Sequence, residues 1–336
     1  MFEDLKKNIL ENDFTDVLGQ NEIKSELKSA LLMERHVILV GPPGCGKTTL
    51  AKSVTGLLSE LVVNNCPYKC NPDSPSCPDC LSKKEVKKIK IKGAERFLRI
   101  QGSPDLSAED LIGDIDPIKA MKFGPLDIQS FTPGKIFKAN GKILFFDELN
   151  RCSEKLQNAL LQVLEEKKAT ISSYDVELKS DFIFIGTMNP GDTSTEPLSD
   201  VFLDRFDLIY MDYPKEIATE KEIIIKKGKE AVEFSDSLLS LMVKFIHELR
   251  VNKDLEKKPS VRASIGLYER AQGNAILDKR NKVNFRDIEK AIYSVLGHRI
   301  SLKPSVRYTQ TTQDLLKKEL KKFMSENRIS DSGDIP

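Results

Sequence analysis

The chain has 336 residues, of which 40% are hydrophobic and 31% are charged, so it can bury a sizeable core and is long enough for two domains. Its 52 basic residues are balanced by 51 acidic ones, a formal charge of +1, which argues against a dedicated electrostatic nucleic-acid binder. We find no run of about 18 apolar residues and no signal-peptide core near Met1, so we expect a soluble, cytoplasmic protein without membrane insertion.

The first predicted elements alternate between helix and strand. Residues 22–35 place apolar side chains at helical spacing, and 36–40 form an apolar run typical of a buried parallel strand. A second helix is expected over 47–58. This order predicts an α/β domain at the start of the chain.

The segment between that strand and helix has the form G-x-x-x-x-G-K-T, the pattern of a phosphate-binding loop. Its glycines let backbone N–H groups turn toward a phosphate, and the helix start adds partial positive charge. Lys47 supplies an ammonium group for the β- and γ-phosphates, and Thr48 supplies a hydroxyl for Mg²⁺. The alternative is a glycine- and proline-rich turn with a solvated lysine. The residues predicted to line the bound phosphates are Gly41, Pro42, Pro43, Gly44, Cys45, Gly46, Lys47, Thr48 and Thr49.

Four of the six cysteines lie close together after this helix. They are Cys66, Cys70, Cys77 and Cys80, in a stretch with Pro and Asn but no hydrophobic periodicity. Clustering of this kind in an intracellular protein favours metal binding over disulfides, and four thiolates can hold one tetrahedral Zn²⁺. An Fe–S cluster, a redox pair and free thiols in a surface loop are the alternatives. The lysine-rich segment 83–92 is expected to be a solvated face.

Residues 96–140 predict a further core strand and then an inserted hairpin. The strand is expected over 96–100. Residues 113–140 mix Pro and Gly with short alternating apolar runs, which favours a hairpin inserted into a helix over another βα unit. Its apolar side chains are expected to contact a partner or a neighbouring subunit.

Residues 142–148, with the sequence K-I-L-F-F-D-E, run from apolar side chains directly into two carboxylates. A buried parallel strand delivers its carboxyl end to the ligand-binding edge of the sheet. Asp147 is therefore a candidate to hold Mg²⁺, and Glu148 a candidate to accept the proton of an attacking water. The alternative is an acidic pair that caps the next helix, 153–166.

A second inserted hairpin is expected over 169–180, followed by another buried strand, 182–189. The strand ends on Asn189, which is placed to hold the attacking water or the γ-phosphate. Because Asn before Pro is also an ordinary turn former, this signal is weak by itself.

Arg205 lies between Asp204 and Asp207, just before a last strand predicted over 208–211. A salt bridge with these flanking aspartates is the simple interpretation. A role in a phosphate site depends on the family comparison given below.

Helices replace strands after residue 213, which predicts an all-helical second domain. Apolar residues three and four apart place the helices over 215–228, 235–251, 260–273, 284–297 and 311–324. Arg262 lies in the first turn of the third helix, where a cation opposes the helix dipole, so an anionic partner is expected.

The expected fold is thus an α/β parallel sheet core followed by a C-terminal all-helical lid. The predicted domains are 1–213, with a cysteine-rich insert at 64–82 and hairpin inserts at 113–140 and 169–180, then the lid at 214–300 and a tail at 301–336.

The combined motifs resemble the AAA+ ATPases, and within them the MoxR-type and magnesium-chelatase ATPase-subunit group, over most of residues 14–300. The matching positions are Val17, Leu18 and Gly19 for the adenine-side motif, 41–48 for Walker A, 144–148 for Walker B, Asn189 for sensor 1, Arg205 for the arginine finger and Arg262 for sensor 2. The two inserted hairpins are similar in position to the inserts that mark this group.

The resemblance implies a P-loop NTPase that binds ATP and Mg²⁺ between the subunits of a homo-oligomeric ring, expected to be a hexamer. Arg205 would stabilise charge in the neighbour's site, and Arg262 would sense the γ-phosphate from the lid. The cysteine loop departs from the family pattern. Clamp loaders carry a zinc module in a similar place, but their Ser-Arg-Cys finger is absent here.

Three functions follow from the resemblance. The leading hypothesis is a MoxR-type remodelling ATPase that acts on a protein client, in metal-cofactor insertion or complex maturation, with a von Willebrand A-domain protein as partner. The second is the ATPase subunit of a magnesium or cobalt chelatase. The third, a clamp loader or nucleic-acid motor, ranks low, so nucleic acid is not the expected partner.

Overall fold

A computed structural model describes residues 3–83, 85–166, 168–171, 174–179, 182–191 and 198–329. The chain divides into two compact units. Met1–Gly41 and Gly46–Met211 form the first unit, and Pro42–Cys45 and Asp212–Pro336 form the second. Within the described part of the chain, no helix combines the length and apolar character needed to cross a membrane.

The first unit is built on a parallel sheet with flanking helices. In chain order its helices and strands are α1 (Glu3–Glu11), α2 (Asn21–Leu32), β1 (Val37–Val40), α3 (Lys47–Ser53), β2 (Leu61–Asn64), α4 (Pro78–Ser82), β3 (Lys88–Ile91), β4 (Phe97–Gln101), α5 (Ala108–Ile112), β5 (Gly113–Ile115), α6 (Pro117–Phe123), β6 (Phe131–Pro133), β7 (Ile143–Asp147), α7 (Glu154–Glu166), β8 (Lys168–Ile171), β9 (Tyr174–Lys179), β10 (Ile183–Met188), α8 (Asp200–Leu203) and β11 (Asp207–Tyr210). The sheet order is β11-β1-β10-β7-β4, with every neighbouring pair parallel.

The central strands form the core of this unit. All four residues of β1 and the first four of β7 are buried, which is the pattern of a parallel sheet covered on both faces. Phe184 on β10 stacks on Phe146 of β7, with ring centroids 5.9 Å apart. The predicted α/β parallel sheet is confirmed, because continuous apolar runs can be buried on both faces only in such a sheet.

The antiparallel pair β2–β3 of the first unit was not predicted. Residues 88–91 form β3 and pair antiparallel with β2, although the lysine-rich segment 83–92 was expected to be only a solvated face. Lys88 and Lys90 are exposed while Ile91 is buried, so the segment alternates as a half-buried strand does. The high lysine content obscured the alternation of exposed and buried side chains in the sequence. The pairing with β2 shows that the segment is a strand.

The segment 113–140 contains the antiparallel pair β5–β6 with α6 between the two strands. Asp116 caps α6 by accepting hydrogen bonds from the amides of Ile118 and Lys119. Gly113 has a φ of +115°, a conformation that favours glycine. Within the segment 169–180, β8 and β9 also pair antiparallel, while residues 172, 173 and 180 lie outside the described part.

The second unit is mainly helical and has its own core. Its elements are α9 (Ile217–Lys227), α10 (Asp236–Val251), β12 (Leu255–Lys257), α11 (Val261–Leu277), α12 (Phe285–Leu296), β13 (Ser301–Leu302), α13 (Pro304–Arg307) and α14 (Thr312–Glu326). Apolar side chains of the five longer helices form one buried cluster. The predicted all-helical character is correct except for the short antiparallel pair β12–β13.

A buried ion pair links three helices of this unit. Glu220 on α9 is fully buried and accepts two hydrogen bonds from Arg250 on α10, at 2.6 and 2.8 Å, and a further one from Ser264 on α11. His247 Nε2 lies 2.8 Å from the same carboxylate. Burial opposes ionisation, but the hydrogen bonds from His247, Arg250 and Ser264 outweigh it and lower the pKa of Glu220 to about 2.

Arg250→Met is expected to destabilise the second unit by about 3–5 kcal/mol, because it leaves the Glu220 charge buried without its main partner. Urea-induced unfolding, read by hydrogen exchange within α10, measures this loss. Lys290→Met is the matched control, because it removes an exposed pair with Asp278 and should cost less than about 1 kcal/mol. A loss below that of the control would contradict the assignment.

The pH dependence of stability follows from the same carboxylate. Because folding lowers the pKa of Glu220 from 4.5 to about 2, its stabilising contribution is fully present above the unfolded value. It is lost as the pH falls from about 4.5 toward 2. The loss of stability over this pH range should be smaller in Arg250→Met, because the pKa of Glu220 in the folded state is then no longer lowered by Arg250.

Candidate active site

The phosphate-loop sequence joins β1 to α3, the strand-to-helix context that the motif requires. Gly44 and Gly46 have φ values of +76° and +108°, and Gly46 precedes the first helical residue, Lys47. Lys47 Nζ donates a 2.6 Å hydrogen bond to the carbonyl oxygen of Gly41. Thr48 and Thr49 follow in the first turn of α3. The loop therefore has glycines where left-handed backbone is needed, and its lysine lies folded against it.

Asp147 and Glu148 stand at the carboxyl end of β7. Thr187 on the neighbouring β10 connects them, because its hydroxyl donates to Asp147 Oδ1 at 2.7 Å and accepts from the Glu148 amide at 2.9 Å. Arg99 on β4 forms a 2.6 Å ion pair with Asp147 Oδ2. Each carboxylate oxygen of Asp147 thus has a defined partner on a different neighbouring strand.

Glu148 adopts a left-handed backbone conformation, with a φ of 55°. Such a conformation is uncommon for a residue other than glycine and occurs often at functional sites. Its carboxylate accepts a 2.8 Å hydrogen bond from Gln101 Nε2 and lies 3.1 Å from Arg151 Nη1. The side chain is part-exposed, so a water can approach it.

Close backbone packing beside Glu148 requires a glycine. The amide of Gly102 donates to the carbonyl oxygen of Asp147 at 2.7 Å. A Cβ at Gly102 would lie only 2.2 Å from the carbonyl oxygen of Glu148, nearer than side chains are found. Gly102 therefore lets β4 approach the acidic end of β7.

The carboxyl end of β10 joins the acidic pair to the phosphate loop. Thr187 contacts Asp147 and Glu148, and the carbonyl oxygen of the next residue, Met188, accepts a 3.1 Å hydrogen bond from the Gly41 amide. Because β10 lies between β1 and β7, both motifs stand at the same edge of the sheet.

Asn189 follows directly after β10, at this same edge. Its carbonyl oxygen accepts from Asn150 Nδ2 at 3.2 Å, and its side-chain oxygen accepts from the Gly191 amide at 3.3 Å. These contacts include the local turn that its position before Pro190 favours.

Arg205 does not pair with its flanking aspartates. Its guanidinium forms an ion pair with Glu165 on α7 and donates to the carbonyl oxygen of Val201 at 2.6 Å. Asp207 pairs instead with Arg35, at 2.9 Å. The ion-pair partner of Arg205 is therefore distant in sequence and is not one of the neighbouring aspartates.

The adenine-side residues Val17, Leu18 and Gly19 are half-buried and lie between α1 and α2. The Val17 amide donates to the carbonyl oxygen of Phe14 at 3.2 Å, which closes a turn. Gly19 and Gln20 have φ values of 64° and 58°, so the chain reverses just before α2.

The second unit includes Arg262 and the loop segment Pro42–Cys45. Tyr213 donates a 3.2 Å hydrogen bond to the carbonyl oxygen of Pro43, and burial raises the pKa of Tyr213 to about 12. Arg250 stacks on the Tyr213 ring, 4.6 Å from its centroid. A Cβ at Gly44 would lie 3.6 Å from Cγ of Arg262, so that arginine lies beside the loop segment.

Four residues of the site were missed by the sequence reasoning. Gln101 and Gly102 come at the end of a strand just as Asp147 and Glu148 do, and that similarity is the signal in the sequence that was overlooked. Thr187 lies inside an apolar run, and Arg99 lies within a strand. Their roles depend on which strands are neighbours, which the sequence did not state.

Three family models match successive parts of the chain. One described as magnesium chelatase, subunit ChlI, matches residues 13–68, and one described as ATPase family associated with various cellular activities (AAA) matches 77–208. An AAA lid domain model matches 247–319. This chain belongs to the AAA+ ATPases. Within them it is related to the magnesium-chelatase subunit ChlI.

Curated relatives of this AAA+ chain align over most of its length. The magnesium-chelatase subunit ChlI homolog of Methanocaldococcus jannaschii is 28% identical, with 94% of this chain and 92% of the relative covered. Protein YeaC of Bacillus subtilis, described as uncharacterized, is 27% identical, with 90% and 89% covered. Magnesium-chelatase subunit ChlI of Cyanidium caldarium is 28% identical, with 87% and 90% covered.

Two solved structures share the AAA+ fold of this chain. A chain in the complex between subunits BchI and BchD of magnesium chelatase is 19% identical, with a TM-score of 0.50 and 88% and 98% covered. A Thermotoga maritima RuvB mutant is also 19% identical, with a TM-score of 0.50 and 84% and 72% covered. At this identity the likeness concerns the fold alone.

Proposed function

We propose that this AAA+ chain hydrolyses ATP and uses the free energy to remodel a protein client. The main support is that Asp147, Glu148 and the phosphate loop lie at one edge of the sheet, where each is hydrogen-bonded to β10. Phosphate binding and water activation are the two chemical tasks of an ATPase, and this edge brings together residue types suited to each.

The residues at this edge divide the chemistry among them. Lys47 neutralises charge on the β- and γ-phosphates, and Glu148 accepts a proton from the attacking water. Asn189, at the end of the strand between them, is suited to orient that water. Thr187 orients the Asp147 carboxylate and holds the backbone amide of Glu148 beside it.

Thr48 and Asp147 fit a magnesium ion, because hydroxyl and carboxylate oxygens are the protein ligands that Mg²⁺ prefers alongside phosphate oxygens. When bound, Mg²⁺ neutralises charge on the phosphates. Arg99, 2.6 Å from Asp147, keeps that carboxylate oriented.

We infer that the chain works as a homo-oligomeric ring, with six subunits as the family resemblance implies. Arg205 is then the residue that stabilises transition-state charge in the neighbouring subunit's site, and Arg262 reads the γ-phosphate of its own site. Arg205 is only part-buried, and its partner Glu165 is half-exposed, so their ion pair can exchange for a phosphate contact.

The insert 113–140, called here the β5–β6 insert, is the element best suited to contact the client. Ile118, Met121 and Leu126 in its central segment are 80%, 91% and 77% exposed, although all three are large apolar side chains. Exposed apolar groups of this size gain free energy when a protein partner covers them. A nucleic-acid client is not favoured, because the net charge is close to zero.

A second candidate function is the ATPase subunit of a magnesium or cobalt chelatase, favoured by the relatives named ChlI and by the magnesium-chelatase family model. Both functions require the same ATP site and differ in the partner. A MoxR-type remodeller is expected to capture a protein with a von Willebrand A domain, and a chelatase subunit a tetrapyrrole-binding protein.

Phosphate release from ATP by the purified chain tests the proposal. We expect turnover that requires Mg²⁺ and increases when the captured partner is added, because clients and partner subunits complete such sites. Absence of turnover under both conditions would contradict ATP hydrolysis. If turnover is present, the identity of the protein cross-linked to the β5–β6 insert decides between remodeller and chelatase subunit.

A further inference from the structure

We propose that Cys66, Cys70, Cys77 and Cys80 bind one structural Zn²⁺, and that this site holds the β5–β6 insert against the rest of the first unit. The proposal is independent of ATP hydrolysis. It depends on the packing of a cysteine cluster that the ATP site does not use.

The four sulfur atoms lie close enough together to bind a single ion. All four side chains are buried, and their Sγ atoms lie within 4.8 Å of one another. A tetrahedral zinc site with Zn–S bonds of about 2.3 Å has S···S edges of about 3.8 Å. Closing the cluster onto an ion therefore needs shifts of an ångström or less.

The local backbone presents the sulfurs from two short turns. The first turn is closed at the end of β2, where the Asn64 amide donates to the carbonyl oxygen of Cys70 at 2.8 Å. The second turn runs from Cys77 into α4, and the Cys80 amide donates to the carbonyl oxygen of Cys77 at 3.1 Å. Both turns lie in the segment between the paired strands β2 and β3.

Polar groups contact three of the four sulfur atoms. The Cys70 amide donates to Cys66 Sγ at 3.3 Å, and Asn64 Nδ2 donates to Cys80 Sγ at 3.6 Å. Ser76 Oγ lies 3.7 Å from Cys70 Sγ. Such outer contacts orient metal ligands, and they are not expected around four ordinary apolar side chains.

The cluster has little else to stabilise it. Among the described residues, only Tyr68 and Val86 are partly buried hydrophobic side chains packed against the four cysteines. A group this small buries too little apolar surface to hold a loop of this length, and a metal ion supplies the missing stabilisation.

Tyr68 connects the cluster to the insert. It lies between Cys66 and Cys70, and its hydroxyl donates a 3.0 Å hydrogen bond to the carbonyl oxygen of Pro133 at the end of β6. Lys138 Nζ lies 5.6 Å from the centre of the same ring. A metal that fixes the first turn therefore also fixes Tyr68, and through it β6.

Metal analysis of the purified full chain tests the zinc site. We expect about one zinc per chain, its loss in the double variant Cys77→Ser/Cys80→Ser, and its retention in Cys152→Ala, which changes a buried cysteine outside the cluster. Cobalt exchanged for the zinc should show the visible bands of tetrahedral thiolate coordination. A metal-free stable chain, or iron with sulfide in place of zinc, would overturn the proposal.

Hydrogen exchange tests the link to the insert. The amides of Asp116 and Gly134, bonded to Ser130 and Ile112, should exchange at least about tenfold faster after zinc is removed, while those of β10 should not change. Tyr68→Phe should keep its zinc and still show faster exchange at these two amides. If Tyr68→Phe exchanges as the wild type does, Tyr68 does not hold the insert and that half of the proposal is wrong.

Discussion

Glu148→Gln is expected to lower the rate of ATP hydrolysis by about 10²–10⁴-fold while ATP still binds, because the amide cannot accept a proton from the attacking water. The substitution keeps the size of the side chain and leaves an oxygen to accept the hydrogen bond from Gln101. Phosphate release gives the rate, and equilibrium binding of a labelled nucleotide gives the affinity.

Glu154→Gln is the matched control for this substitution. Glu154 is an exposed carboxylate in the first turn of α7, close in sequence to the site but outside it. We expect its removal to leave turnover within about twofold of the wild type. If Glu148→Gln hydrolyses ATP as fast as this control, Glu148 is not the base.

Arg205→Ala is expected to lower the rate by about 10³–10⁵-fold, the range that arginine fingers contribute in other NTPases. Because Arg205 is proposed to act in the neighbouring subunit's site, the loss should be repaired in part by mixing. An Arg205→Ala protein mixed with Glu148→Gln forms some interfaces that join an intact Glu148 to an intact Arg205. Phosphate release measured across mixing ratios should therefore pass through a maximum.

Glu165→Gln separates this role from a structural one. It removes the carboxylate with which Arg205 pairs and leaves the arginine in place. If Arg205 mattered only through that ion pair, both substitutions would reduce activity equally. We expect Glu165→Gln to keep most of the activity. If mixing Arg205→Ala with Glu148→Gln restores no activity at any ratio, a site shared between subunits is excluded.

The sequence by itself determined the buried strands of the sheet core and the phosphate-loop motif between strand and helix. Mainly apolar runs in β1, β7 and β10 predicted strands buried on both faces, and the G-x-x-x-x-G-K-T spacing predicted a phosphate loop between strand and helix. Both signals are local, because burial on two faces favours apolar residues along a strand and a tight loop requires glycine at particular positions.

Only the tertiary structure decided which of these residues meet. Thr187 contacts Asp147 because β10 pairs with β7, and Arg205 reaches Glu165 across forty positions of sequence. The strand β3 and the cysteine cluster depend in the same way on pairing with β2. Strand order and register are set by long-range packing, and many pairings satisfy the same local pattern, so neighbouring residues in the chain carry too little information to select one.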